Sequence, residues 1–185
     1  MSGSVTPAAP LCTVLAFIAV IGGAVARVTA MPSSNAPRWK QFFASLESDC
    51  QFGPPASESQ LVAVEQALGC GLPKLLREFL LEADGAGVSP YNSRIIWSSA
   101  EIQKQNQEFR TFAGFRDLYM PFDHLLFFAD DGGGDQFAYA RNADGRIHER
   151  DVFRWEHETD ARSWYAAGLW QFLEKRLKTD VTDES

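Results

Sequence analysis

Cysteine is scarce in this chain. Its 185 residues contain three, Cys12, Cys50 and Cys70. They are odd in number, widely spaced and form no C-x-x-C pair, so neither a disulfide framework nor a zinc site is indicated, and reduced thiols in the cytoplasm are expected. Basic charge is short as well. With 17 Lys+Arg against 24 Asp+Glu, the formal net charge is -7 and the pI lies near 4.9. Binding to phosphate requires a basic footprint, so these counts argue against direct contact with nucleic acid or an anionic membrane surface. An acidic body suits a basic partner instead.

Catalytic signatures are missing too. His148-Glu149 is not followed by a second histidine at helical spacing, His157-Glu158 has no partner motif, and His124 stands alone, so the three histidines read as ordinary polar residues near strand ends. Asp130, Asp131 and Asp135 lack the loop with a terminal bidentate glutamate that holds calcium. There is no G-x-S-x-G elbow, no P-loop and no dinucleotide fingerprint, and Gly132-Gly133-Gly134 does not lead into a helix as a phosphate site requires. No catalytic residue, cofactor or metal is expected. Internal repeats and low-complexity segments are also absent.

At 45% hydrophobic residues, the chain is long enough for one well-formed core and too short for two ordinary domains. Residues 1–30 stand apart. Within them 11–26 form an uncharged apolar run that has no Lys or Arg before it and Arg27 after it. A signal peptide would cleave after Ala26 or Ala30 but lacks its basic leader. A membrane anchor would need about 20 apolar residues, reached only by crossing Pro7 and Pro10. The third reading takes Met31 as the true start, with a domain over 31–178 and a polar tail over 179–185. If residues 1–30 belong to the native protein, export or membrane anchoring replaces the cytoplasmic expectation.

From Trp39 the spacing of Trp39, Phe42, Phe43 and Leu46 predicts a first helix. Gly53-Pro54-Pro55 breaks the chain, and Ser57 with Gln60 makes a capping box before Leu61, Val64 and Leu68. A third helix opens at Pro73, carries Leu75, Leu76, Phe79 and Leu80, and stops at Asp84-Gly85-Ala86-Gly87. A short strand at 94–97 precedes a second capping box, Ser98 with Glu101, and a helix whose Ile102, Asn106 and Phe109 share one face. After an aromatic-rich connection over 112–122, strands are expected at 125–128, 136–140, 146–148 and 151–155. A closing helix is expected to open at Thr159 or Asp160, with Tyr165, Leu169, Phe172, Leu173 and Arg176 along one side.

The stretch 125–141 organises the rest. Leu125, Leu126, Phe127 and Phe128 read as a strand buried on both faces, while Phe137 and Tyr139 alternate with Gln136, Ala138 and Ala140 as a half-buried one. Between them, Asp130, Asp131, Gly132, Gly133, Gly134 and Asp135 combine turn-capping acids with glycines that accept positive φ. These acids are either a solvated turn or an acidic docking loop held on a rigid scaffold. If the end of the 152–158 strand lies nearby, Glu156 and Glu158 form a second acidic cluster beside them.

In order, these pieces resemble the SUKH superfamily, which includes the fungal Smi/Knr cell-wall-synthesis regulators and many bacterial immunity proteins. The match is carried by Pro55-Ala56-Ser57 with Glu65 and Leu68-Gly69, by Gly71-Leu72-Pro73 with Phe79-Leu80 and Asp84-Gly85, and by Met120-Pro121-Phe122. The aromatic block 125–128, the turn 130–137, the segment 152–158 and Trp164 with Phe172-Leu173 complete it. It covers about residues 38–177, with Asp84-Gly85 where the family often has Asn-Gly. The resemblance implies a single α+β domain, with a mostly antiparallel sheet flanked by helices. It also implies a non-catalytic binding module that neutralises a cognate toxin, often a nuclease, or alternatively a regulatory scaffold of the cell-wall type. A metal-dependent hydrolase is the remaining alternative. Partner binding is assigned to Asp130, Asp131, Asp135, Glu156 and Glu158.

Overall fold

A computed structural model describes residues 38–46, 49–88 and 93–179. The apolar segment 1–30, the start at Met31 and most of the tail 179–185 lie outside the described residues. In chain order the elements are α1 (Arg38–Ser45), β1 (Cys50–Phe52), α2 (Glu58–Leu68), α3 (Lys74–Glu82), β2 (Ala86–Val88), β3 (Ser93–Ile96), α4 (Ser99–Thr111), α5 (Ala113–Arg116), β4 (Leu125–Asp130), β5 (Gln136–Arg141), β6 (Ile147–Trp155), β7 (Arg162–Ala166) and α6 (Gly168–Thr179). They build two antiparallel sheets, ordered β1-β2-β3 and β4-β5-β6-β7. This is a single α+β domain, flanked by helices as expected.

Both capping boxes form. Ser57 and Gln60 exchange hydrogen bonds at the start of α2, and Ser98 and Glu101 do so at the start of α4. Each satisfies donors that a helix N-terminus otherwise leaves orphaned. Asp84 secures α4 from outside, accepting from the Ser99 amide at 2.6 Å and the Ser99 hydroxyl at 3.0 Å. Gly53 has to be glycine here because a Cβ would lie 2.2 Å from the Asp84 carbonyl oxygen.

The core has an aromatic layer on each side of the four-stranded sheet. Phe127 of β4 packs with Phe109 of α4 at 4.7 Å, with Phe122 at 5.6 Å and with Trp155 of β6 at 6.0 Å. Phe128 stacks on Tyr139 at 4.8 Å and meets the edge of Phe172 of α6 at 5.0 Å. Leu125 through Ala129 are all buried, which is what the unbroken apolar block predicts.

Four expectations need correction. Phe137, Ala138 and Tyr139 are buried in succession, because β5 is an inner strand covered on both faces rather than a half-exposed one. The separate strands at 146–148 and 151–155 are one strand, β6, interrupted where the pairing jumps from Ala140↔His148 to Tyr139↔Val152. Residues 162–166 pair with β6 as β7, so the closing helix starts at Gly168 and not at Thr159 or Asp160. Asp160 (φ 56) and Gly168 (φ 75) are both left-handed and bracket the strand. Finally, the glycines after Asp84 do more than stop a helix. Ala86–Val88 pairs with both Cys50–Phe52 and Ser93–Ile96.

Phe128 is fully buried between Tyr139 and Phe172. Phe128→Ala should therefore cost about 3–5 kcal/mol of stability through the cavity it opens. Denaturant unfolding checks this, and a loss under about 1 kcal/mol would mean the site collapses freely or is not core.

Candidate functional site

The β4–β5 turn is shaped by its own acids. Asp131 Oδ1 accepts from the amides of Gly133 (2.8 Å) and Asp135 (3.1 Å), and Asp130 Oδ1 accepts from Gly132 (2.9 Å). Gly132 and Gly134 take φ of 79° and 117°, a region closed to most side chains. Gly134 is required twice over, since a Cβ there would lie 2.7–3.0 Å from the imidazole of His157.

Asp135 ties this turn to the end of β6. Its Oδ2 accepts from Arg154 Nε at 2.8 Å and Nη2 at 2.5 Å, and its Oδ1 accepts from the His157 amide at 3.1 Å and Nδ1 at 2.8 Å. Only 8% of Asp135 is exposed. Burial works to raise its carboxyl, but the bonds from His157 and Arg154 outweigh it and hold the group below the ordinary carboxylate range. In return the hydrogen bond to Asp135 raises His157 above its usual value. Asp135 is thus a buried anchor and not a solvated turn acid.

The five predicted residues separate accordingly. Asp131, Asp135, Glu156 and Glu158 line one open pocket of about 360 Å³ with Gly133, Arg154, His157 and Thr159. The strand end therefore does bring Glu156 and Glu158 beside the turn. Asp130 is not in that lining. Its Oδ2 accepts from the indole of Trp97 at 2.5 Å, so its carboxylate is committed to the join between α4 and β4. Glu158 is exposed, and Glu156 accepts from the Thr159 hydroxyl at 3.2 Å.

Sequence reasoning missed Arg154 and His157, which hold Asp135. By spacing alone His157 reads as an ordinary polar histidine. A second concavity, of about 370 Å³, lies between the three-stranded sheet and the start of α4. Its charges are already matched, since Arg94 pairs with Glu101 at 2.5 Å and Asp84 is bound by Ser99.

The acidic pocket has four carboxylates against one guanidinium and one imidazole, so it presents excess negative charge from a fixed frame. His157 and Asp135 form a hydrogen-bonded pair, but Thr159, the hydroxyl lining the pocket, donates to Glu156. No activated nucleophile is assembled. Among the described residues, no three His, Cys, Asp or Glu side chains converge as a metal site.

The profile of the SMI1 / KNR4 family (SUKH-1) matches residues 55–175, a span running from the start of α2 into α6. No curated protein matches the chain.

The Asp135 clamp has a defined pH window. Stability from the raised His157 is complete below its ordinary value and lost as pH rises through the elevated one. Stability from the lowered Asp135 is complete above its ordinary value and lost as pH falls through the depressed one. Unfolding free energies should therefore differ most between wild type and His157→Gln in the window above the ordinary carboxylate range and below the ordinary imidazole range, and the difference should shrink as pH rises through the elevated value of His157. A difference independent of pH would contradict the pairing. Asp135→Asn should cost about 1–3 kcal/mol at neutral pH, because it weakens two charge-assisted contacts.

Proposed function

The chain belongs to the SMI1 / KNR4 family (SUKH-1), and from that footing we propose that it is a non-catalytic binding module that neutralises a cognate basic toxin by direct contact in the cytoplasm. The observation that carries this reading is the acidic pocket. Asp135 is fixed from two sides by Arg154 and His157, and around it Asp131, Glu156 and Glu158 line the same pocket at the ends of two hairpins. A rigid scaffold presenting fixed charge lowers the entropic cost of binding. It also draws an oppositely charged partner into encounter at rates above those of neutral surfaces.

Other features agree with this reading. Cys70 is a buried free thiol, as a reducing compartment would leave it. No helix among the described residues is long and apolar enough to cross a membrane.

The test uses the protein encoded by the gene next to this one, where toxin genes adjoin their neutralisers. Binding should be measured for wild type and for the triple variant Asp131→Asn, Glu156→Gln, Glu158→Gln. The variant should associate about tenfold more slowly at low salt and show a shallower salt dependence. Its stability should change by less than about 1 kcal/mol, since the two glutamates are surface groups and Asp131→Asn keeps the amide-accepting oxygen of the turn. An unchanged association rate would move the interface elsewhere. Absence of any binding by the neighbouring gene product would favour the cell-wall-type regulatory scaffold.

A further inference from the structure

Apolar side chains are left exposed between α4 and β4. Phe112 is 55% exposed, Leu118 71% and Met120 56%, and all three come from the connection between α4 and β4. This segment is not loose. On its inner side Phe115 stacks on Phe109 at 5.4 Å, and Tyr119 meets the edge of Trp155 at 5.0 Å. Its backbone is gripped by the β6–β7 hairpin. The Met120 amide donates to Asp160 Oδ2 at 2.7 Å, and Arg162 donates to the Met120 carbonyl at 2.7 Å and the Pro121 carbonyl at 3.2 Å. Asp160 is itself fixed by Trp155 Nε1 at 2.7 Å. The exposed side chains therefore stand on a held frame.

The hairpin that grips them also carries the acids. Its turn is closed by the Glu156 amide donating to the Ala161 carbonyl at 2.9 Å. Glu156, Glu158 and Thr159 face the acidic pocket, while the next residue, Asp160, reaches over to Met120. One short turn thus separates fixed negative charge from a fixed apolar ridge. Exposed apolar groups rimmed by charge mark interaction sites, and a standard interface of about 800 Å² per partner easily spans such a turn.

We infer that Leu118 and Met120 form, with Asp131, Glu156 and Glu158, one continuous docking surface straddling the β6–β7 turn, and that its occupant is a protein carrying cationic side chains next to apolar ones. The inference rests on the acidic pocket being partner-facing and adds the apolar half of the contact. Charge decides among occupants. A second copy of this chain, with net charge -7, would set like charges together across the turn, and an anionic lipid surface would be repelled in the same way. A basic protein meets the acids and covers the ridge together.

The test uses a short synthetic peptide of alternating lysine and leucine, with an alternating lysine–serine peptide as control, titrated into the isotope-labelled full chain and followed by amide NMR shifts. The leucine peptide should perturb Leu118 and Met120 together with Glu156 and Glu158. The double variant Leu118→Ser, Met120→Ser should bind it about tenfold more weakly, while the serine peptide binds variant and wild type alike and shifts only the acids. Both substitutions are at exposed positions, and an unchanged thermal unfolding curve confirms that the variant is folded. If the leucine peptide shifts only the acids, or the variant binds it as tightly as wild type, the ridge is not part of the surface and the acidic reading stands alone. If it shifts the ridge without the acids, the surface is not continuous. If neither peptide reaches the acids, both readings fall.

Discussion

The structure depends on how the outer edge of β4 is closed. β4 ends its sheet, and a buried edge strand with unpaired amides and carbonyls would cost too much to keep dry. Side chains of α4 and the end of β3 close it. Asn106, fully buried, accepts from the Phe127 amide at 2.9 Å and donates to the Phe127 carbonyl at 2.8 Å, as a neighbouring strand would. Only one orientation of the amide group meets both, because a backbone N–H requires the carbonyl oxygen of the side chain. Arg110 donates to the Leu125 carbonyl at 2.9 Å, and the Trp97 amide donates to the Phe128 carbonyl at 2.9 Å. The helix thereby acts as the missing strand, and the two sheets join at Trp97.

Closing that edge fixes what lies beyond it. With β4 held, Phe127 and Phe128 can each face an aromatic layer, and the turn after Asp130 leaves the sheet in one direction. The indole of Trp97 donates to Asp130, so the residue that closes the edge also fixes the first acid of the turn, and Asp135 then fastens its far end to β6. A loop rich in glycine is rigid here because one end is hydrogen-bonded to Trp97 and the other is ion-paired to Arg154 and hydrogen-bonded to His157. The acids toward solvent, Glu156 and Glu158, add little to stability, which leaves them available for a partner.

Much of this was legible in the residues. The capping boxes at Ser57 and Ser98, the apolar block of β4 and the shared face of Ile102, Asn106 and Phe109 are local signals, and all appear where the spacing puts them. What was not legible depended on long-range register. Counting back from the turn at Asn142 to Gly145, where Ala140 faces His148, would set Gln136 opposite Val152. The interruption at Glu149, Arg150 and Asp151 shifts its partner to Trp155 instead. That shift brings Arg154 and His157 onto Asp135, and no sequence motif announces it. β7 was hidden differently. Tyr165, Leu169 and Phe172 keep helical spacing although Tyr165 is in a strand, because the strand turns Tyr165 and the helix turns Phe172 to the same ring, Phe137.

The most direct measurement is the unfolding free energy of Asn106→Leu, a change that keeps the volume and removes both polar atoms. If the α4 amide serves as the outer strand of β4, the buried Phe127 amide and carbonyl lose their partners, and stability should fall by about 2–5 kcal/mol. Amide exchange at Phe127 should accelerate along with it. A variant as stable as wild type, with Phe127 still protected, would contradict the account, since the edge of β4 would then be held by something other than Asn106.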